Sequence, residues 1–240
     1  MNKILHPAAT RGSANYGWLK ANYSFSFANY FDPNRTNFGV LRVFNDDYVA
    51  PAMGFGKHPH RNMEIVTIPQ TGALKHKDSM GHSEVIHSGE IQVMSAGSGV
   101  EHSEVNASTT EPVTLFQIWI IPEKEEVAPR YDQKKIKPLL KQNALSTVVK
   151  PRNEAKDGEL WIHQQAYFNM GEFTKETTLE YSLNQKEHGA YIFVINGTVV
   201  VDNETLNKKD AIGVWETDTI AITAQKDSTI LLIEVPMNLN

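Results

Sequence analysis

Short segments of alternating apolar and polar residues, closed every eight to twelve positions by turn residues, recur along this chain and limit what it can fold into. They include "FGVLRVF" (38–44), "EIVTI" (64–68), "EIQVMSA" (90–96), "VTLFQIWII" (113–121), "AYIFVI" (190–195), "TVVVD" (198–202), "IAITA" (220–224) and "TILLIEV" (229–235). Between them sit "DPN", "TG", "SG", "NG" and "DN". Successive strand side chains point to opposite faces, so this period belongs to antiparallel strands packed as a sandwich or barrel. Asn196–Gly197 in "VINGTVVVDN" predicts a hairpin turn. Helical pattern is confined to 125–142, where Pro129 and Pro138 allow a few turns at most. That charged stretch separates a half rich in His, Gly and Met from one rich in Thr, Val, Ile and Asn. The division predicts two β domains, 1–130 and 131–240, with a single larger sandwich as the alternative.

Composition removes several functions. With no cysteine, disulfides, thiolate catalysis and Cys-based zinc sites are out. A net charge of −5 leaves no basic stripe for direct nucleic-acid contact. The longest apolar runs, "TLFQIWIIP" and "STILLIEVP", are too short to span a bilayer, and "MNKILHPAATRGSANYGW" has no apolar leader core. A cytoplasmic monomer without membrane contact is the expectation.

The histidines carry the chemistry. Six of the nine (58, 60, 76, 82, 87 and 102) fall within 45 residues. In a strand His58 and His60 share a face, about 7 Å apart along the chain, and His102 and Glu104 repeat that spacing. Two such pairs on neighbouring strands gather three imidazoles and a carboxylate around one point, a donor set suited to a divalent transition metal. Pro59 cannot donate to a ladder and marks an edge or a bulge, where side chains are re-aimed. Gly54, Gly56, Gly97 and Gly99 precede the two pairs. Glu64 rivals Glu104 as the carboxylate. An unbroken strand puts it about 13 Å beyond His60, so a bend at Arg61–Asn62 is required, and Glu104 is favoured. His76, His82 and His87 lie among Lys, Asp, Ser and Gly and are expected at the surface, solvated or hydrogen-bonded.

"WLKANYSFSFANYFDP", "HPHRNMEIVTI", "AGSGVEHSEVN", "FQIWIIP" and "APRYDQ" resemble the pirin family of the cupin superfamily, nearest its bacterial branch associated with quercetin 2,3-dioxygenase activity. The resemblance spans most of 11–132, and more loosely the remainder. It implies an all-β bicupin: two antiparallel, jelly-roll-like β-barrels packed face to face, with metal in the N-terminal domain alone. It implies His58, His60, His102 and Glu104 as ligands. The wider cupin pattern also ends its first motif on a glutamate, here Glu64, and its second on H-x-x-x-N, here His102 to Asn106. Ala52 stands where the first motif usually has glycine.

The same likeness implies a flavonol whose 3-hydroxyl loses its proton, and dioxygen that cleaves the heterocycle with loss of carbon monoxide. Iron(II) is the expected ion; manganese, cobalt, nickel, copper or zinc suits the same donors. Glu104 or Glu64 takes the proton. Phe55, Met63, Met94 and Trp119 are candidate walls for the aromatic substrate, and Gln117, alone in an apolar strand, is expected to hydrogen-bond inside. The alternative is a metal- or redox-sensing module that binds a protein partner through the same four ligands. A third reading, an acid–base cupin such as a sugar isomerase, needs polar cavity walls.

Overall fold

The computed structural model describes residues 1–239. Each half is a sandwich of one seven-stranded and one four-stranded sheet, not a closed barrel. The edge strands of each sheet, such as Gly54–His60 and Ser83–His87, pair with no strand of the facing sheet, so neither sandwich closes.

The N-terminal large sheet runs Arg130–Lys135, Glu90–Ser95, Glu64–Thr71, Val113–Ile120, Leu41–Val49, Leu19–Tyr23, Gly12–Asn15. Its small sheet runs Gly54–His60, Val100–Asn106, Ala73–Asp78, Ser83–His87. Alternation makes the large sheet two-faced. Phe44, Val66, Ile68, Phe116 and Ile118 join one buried cluster with Phe168, Tyr191, Phe193, Leu231 and Ile233 of the C-terminal large sheet. Phe44 stacks on Phe193 at 4.5 Å between ring centroids, so the two halves share this core. The opposite face, with Asn45, Asp47, Thr67 and Gln117, looks into the N-terminal sandwich.

One local expectation, the position of the hairpin, is corrected. Asn196–Gly197 is a corner at which the chain leaves strand His188–Asn196 for strand Thr198–Val201 in the other sheet. The tight hairpin lies one strand later, at Asp202–Asn203, both with positive φ as a two-residue primed turn requires. The charged stretch 125–142 holds strand Arg130–Lys135 and a single 3₁₀ turn, Lys137–Leu139, because Pro129 and Pro138 break any longer helix. The halves also overlap: Asn2–His6 pairs with Ala211–Trp215 of the C-terminal sheet, and Arg130–Lys135, which straddles the expected boundary, pairs with Glu90–Ser95. Among the described residues no helix is long and apolar enough to cross a membrane.

Candidate metal centre

The metal-ligand candidates rest on the small N-terminal sheet. His58 sits opposite His102 across the pair of strands Gly54–His60 and Val100–Asn106. Gly54–His60 is the edge strand, which accommodates Pro59. Phe55 to His58 takes three steps along the chain where Glu104 to His102 takes two, so one extra residue is inserted at Gly56–Lys57. That bulge shifts the alternation and lets Phe55 line the same cavity as His58 and His60. At Gly54 a Cβ would lie 2.3 Å from the Glu104 carbonyl oxygen, so only glycine permits this approach.

The rings of His58, His60 and His102 lie with centroids 4.4–4.9 Å apart, and their donor atoms gather within 4.8 Å of one another. His58 Nδ1 is 2.7 Å from the Gly56 carbonyl oxygen, which makes Nδ1 the protonated nitrogen and frees Nε2. Burial, then the neighbouring His58 imidazole, pushes His60 down to about 4 and His102 lower still. Both are therefore neutral, with lone pairs available at neutral pH. His102 is 1% exposed, and neither of its nitrogens has a hydrogen-bond partner. Buried polar atoms are nearly always satisfied, so an imidazole held this way fits a cation.

Glu104 enters differently from the expectation of one four-donor cluster. It forms a second, overlapping group with His76 and His102, also within 4.8 Å. Its Oε2 accepts a 2.8 Å hydrogen bond from Gln117 Nε2, and Thr67 Oγ1 donates at 2.8 Å to Gln117 Oε1. Burial pushes the Glu104 carboxyl up to about 7, against the pull of Gln117 and Thr67.

Glu64 is not part of the site. The chain bends at Asn62, where φ is +48°, and Glu64 opens the strand Glu64–Thr71 of the large sheet. Counting by twos, Glu64 shares the face of Val66 and Ile68, which is the inter-domain face. It accepts a 2.7 Å hydrogen bond from Ser95 Oγ and lines no part of the cavity. Burial pushes it up to about 7 there. A carboxyl so placed cannot take a proton from a ligand beside the imidazoles. Asn106, the other end of the second motif, clamps the chain: its Nδ2 lies 2.9–3.2 Å from the carbonyl oxygens of Val49, Ala50 and Glu111.

A cavity opens beside His58, His60 and Glu104, with about 70 Å³ open to water-sized molecules. Phe55 and Trp119 line it, joined by Phe27 and Tyr23, which the sequence reading did not single out. Met63 and Met94 pack instead with Ile65, Ala96 and Val100 behind Trp119, because Met94 lies opposite Ile65 on the neighbouring strand. His76 is also displaced from the expectation. It is fully buried, with Nε2 3.2 Å from Asp78 Oδ2 and its ring centroid 5.3 Å from that of His102. The signal was present in "ALKHKD", where Leu74 and His76 point in while Lys75 and Lys77 point out. His82 is half-buried against the same Asp78, and His87 is exposed. The C-terminal sandwich is filled by Ile192, Val194, Ile212, Val214, Ile220 and Ile222, and both metal-competent groups among the described residues lie in 58–104.

Two facing β-sandwiches, the first carrying a histidine–carboxylate cluster beside a small cavity, define a two-domain cupin. The pirin family model matches residues 6–120, and that of the quercetinase C-terminal cupin domain matches 150–235. The chain is 41% identical over 234 residues to the quercetin 2,3-dioxygenase of Escherichia coli K12, covering 97% of this chain and 98% of that one. It is 38% identical over 223 residues to a pirin-like protein of Caulobacter vibrioides, covering 93% and 95%. Among solved structures, the bacterial pirin YhhW of Escherichia coli in complex with nickel(II) superposes with a TM-score of 0.91 at 39% identity, covering 98% and 99%. The chain belongs to the pirin family.

Proposed function

We propose that the chain is a metal-dependent dioxygenase that cleaves flavonols such as quercetin, taking up dioxygen and releasing carbon monoxide. The observation that carries this reading is His102, whose two buried, unpartnered nitrogens lie between His58, His60 and Glu104 beside an aromatic-walled cavity. The relative named quercetin 2,3-dioxygenase and the nickel complex of a pirin 39% identical to this chain support it. His58, His60 and His102 would hold one divalent ion, with Glu104 as the fourth donor once it leaves Gln117. When bound, such an ion supplies Lewis acidity that lowers the pKa of a substrate hydroxyl and brings substrate and dioxygen together.

The remaining work falls to the chain. Glu104 is the carboxylate beside the imidazoles placed to accept the hydroxyl proton. Before a metal binds, Gln117, itself held by Thr67, keeps that carboxyl in place. Phe55 and Trp119 take the flat faces of the flavonol and exclude water from the reacting end. The metal-bearing role is assigned to the N-terminal half, with the C-terminal half as its support through the shared core.

The tight cavity favours a second reading, the metal-dependent binding module. Ligand pockets usually run to roughly 300–1,000 Å³, so Phe27, Phe55 or Trp119 must swing aside before three rings are seated. Incubating quercetin with protein loaded separately with iron, manganese, cobalt, nickel and copper decides between them. Oxygen uptake matched by carbon monoxide release is the expected result; no turnover with any of the five ions would favour the module.

A further inference from the structure

The cavity contains a polar wall that metal binding does not use. Strand Leu41–Val49 presents Asn45 and Asp47 to it, beside Tyr23 and Ala21 of the neighbouring strand, with which they are in register. Asn45 is 2% and Asp47 5% exposed, and the Oδ1 atom of each is buried without a hydrogen-bond partner. Asp47 belongs to neither group of side chains whose donor atoms converge for a metal. A core carboxyl that served only the fold would be paired, as Asp46 next to it is by Lys209 at 3.0 Å on the opposite face. Two polar side chains on one face of a strand, both lining the cavity and each holding a buried oxygen without a partner, suit a ligand that brings O–H donors.

We propose that Asn45 and Asp47 form a hydroxyl-recognition subsite, which selects polyhydroxylated aromatic ligands by hydrogen-bonding a hydroxyl other than the one directed at the metal ligands. This deepens, and rests on, the flavonol reading. Burial, with Asp46 and Glu104 nearby, pushes the Asp47 carboxyl up to about 8, so near neutral pH it carries its proton and offers a donor as well as an acceptor to a phenol. A site built to hydrogen-bond a hydroxyl discriminates strongly against an analogue lacking it, because its polar groups are then left unpaired. Asp47 is accordingly a specificity-determining residue.

The test compares quercetin with 3-hydroxyflavone, which keeps only the 3-hydroxyl, by anaerobic fluorescence titration of metal-loaded wild type, Asp47→Leu and Asp47→Asn, with metal content measured alongside. Expected are unchanged metal content, a loss of about tenfold or more in quercetin affinity for Asp47→Leu, partial rescue in Asp47→Asn, and 3-hydroxyflavone binding within about twofold throughout. Where the flavonols bind wild type, equal losses for both, or no loss for either, overturn the subsite. Resorcinol, titrated into metal-free protein by NMR, separates this proposal from the flavonol reading. Tighter binding to wild type than to Asp47→Leu upholds the subsite even if neither flavonol binds, in which case the flavonol reading falls alone. Equal or absent resorcinol binding overturns the subsite whatever the flavonols do. A metal-free Asp47→Leu that melts well below wild type overturns it too, because the carboxyl would then be holding the fold.

Discussion

Replacing His102 by leucine should stabilise the metal-free protein and abolish its response to metal. Both imidazole nitrogens are buried with no partner, and each such group costs about 1–3 kcal/mol. Leucine removes both, at a shape mismatch of about 1.5 kcal/mol or less. A net gain of about 2 kcal/mol raises the melting temperature of a chain this size by about 4–8 °C. Wild type instead gains from the ion: at a hundred times its Kd, a metal contributes about 2.7 kcal/mol, or about 5–11 °C. Circular-dichroism melts in chelator and in excess nickel(II) or iron(II) read both quantities. A metal-free His102→Leu that melts below wild type would show that the nitrogens are compensated. A variant that still gains stability from metal would show that the ion binds elsewhere.

Glu104, raised to about 7, must lose its proton to bind a cation. Metal affinity should therefore fall by about tenfold per unit as pH drops below about 7, with one proton released per ion in calorimetry across buffers of different ionisation enthalpy. In the metal-free protein the same carboxyl acts against stability as pH rises from its ordinary 4.5 through 7, because the unfolded chain gives up the proton first. Glu64→Gln should retain metal and turnover, measured by metal analysis and oxygen uptake, since its side chain faces the other domain. Phe44→Ala, which opens the shared core against Phe116 and Phe193, should cost about 3–5 kcal/mol and shift one common urea transition. A second, unshifted transition from the C-terminal half would mean that the two sandwiches unfold independently.

The sequence made parts of this legible because two-residue periodicity survives folding wherever a strand is straight. His58 with His60, and His102 with Glu104, share faces as spacing dictates, and Pro59 sits on an edge strand. Glu64 was harder. Its parity matches that of the histidines, yet the bend at Asn62 moves it to another sheet, where the same parity points to the opposite domain. His76 was hidden by lysines on either side, which mark the outward face of its own strand. Asn45 and Asp47 look like loop residues in "FNDDY" until the inner face of that strand is known to border a cavity. The crossing of Asn2–His6 to the far sheet is a long-range pairing that no local pattern encodes. An open sandwich and a closed barrel give the same alternation, so closure was not readable either.

The most direct test is anomalous diffraction at the nickel edge from crystals grown with nickel(II). One peak per chain is predicted, about 2.0–2.2 Å from an imidazole nitrogen of each of His58, His60 and His102 and from a carboxylate oxygen of Glu104, with the Gln117–Glu104 hydrogen bond broken. A peak outside these four side chains, or a Glu104 still bonded to Gln117 beside a metal held by the histidines alone, would contradict the assignment.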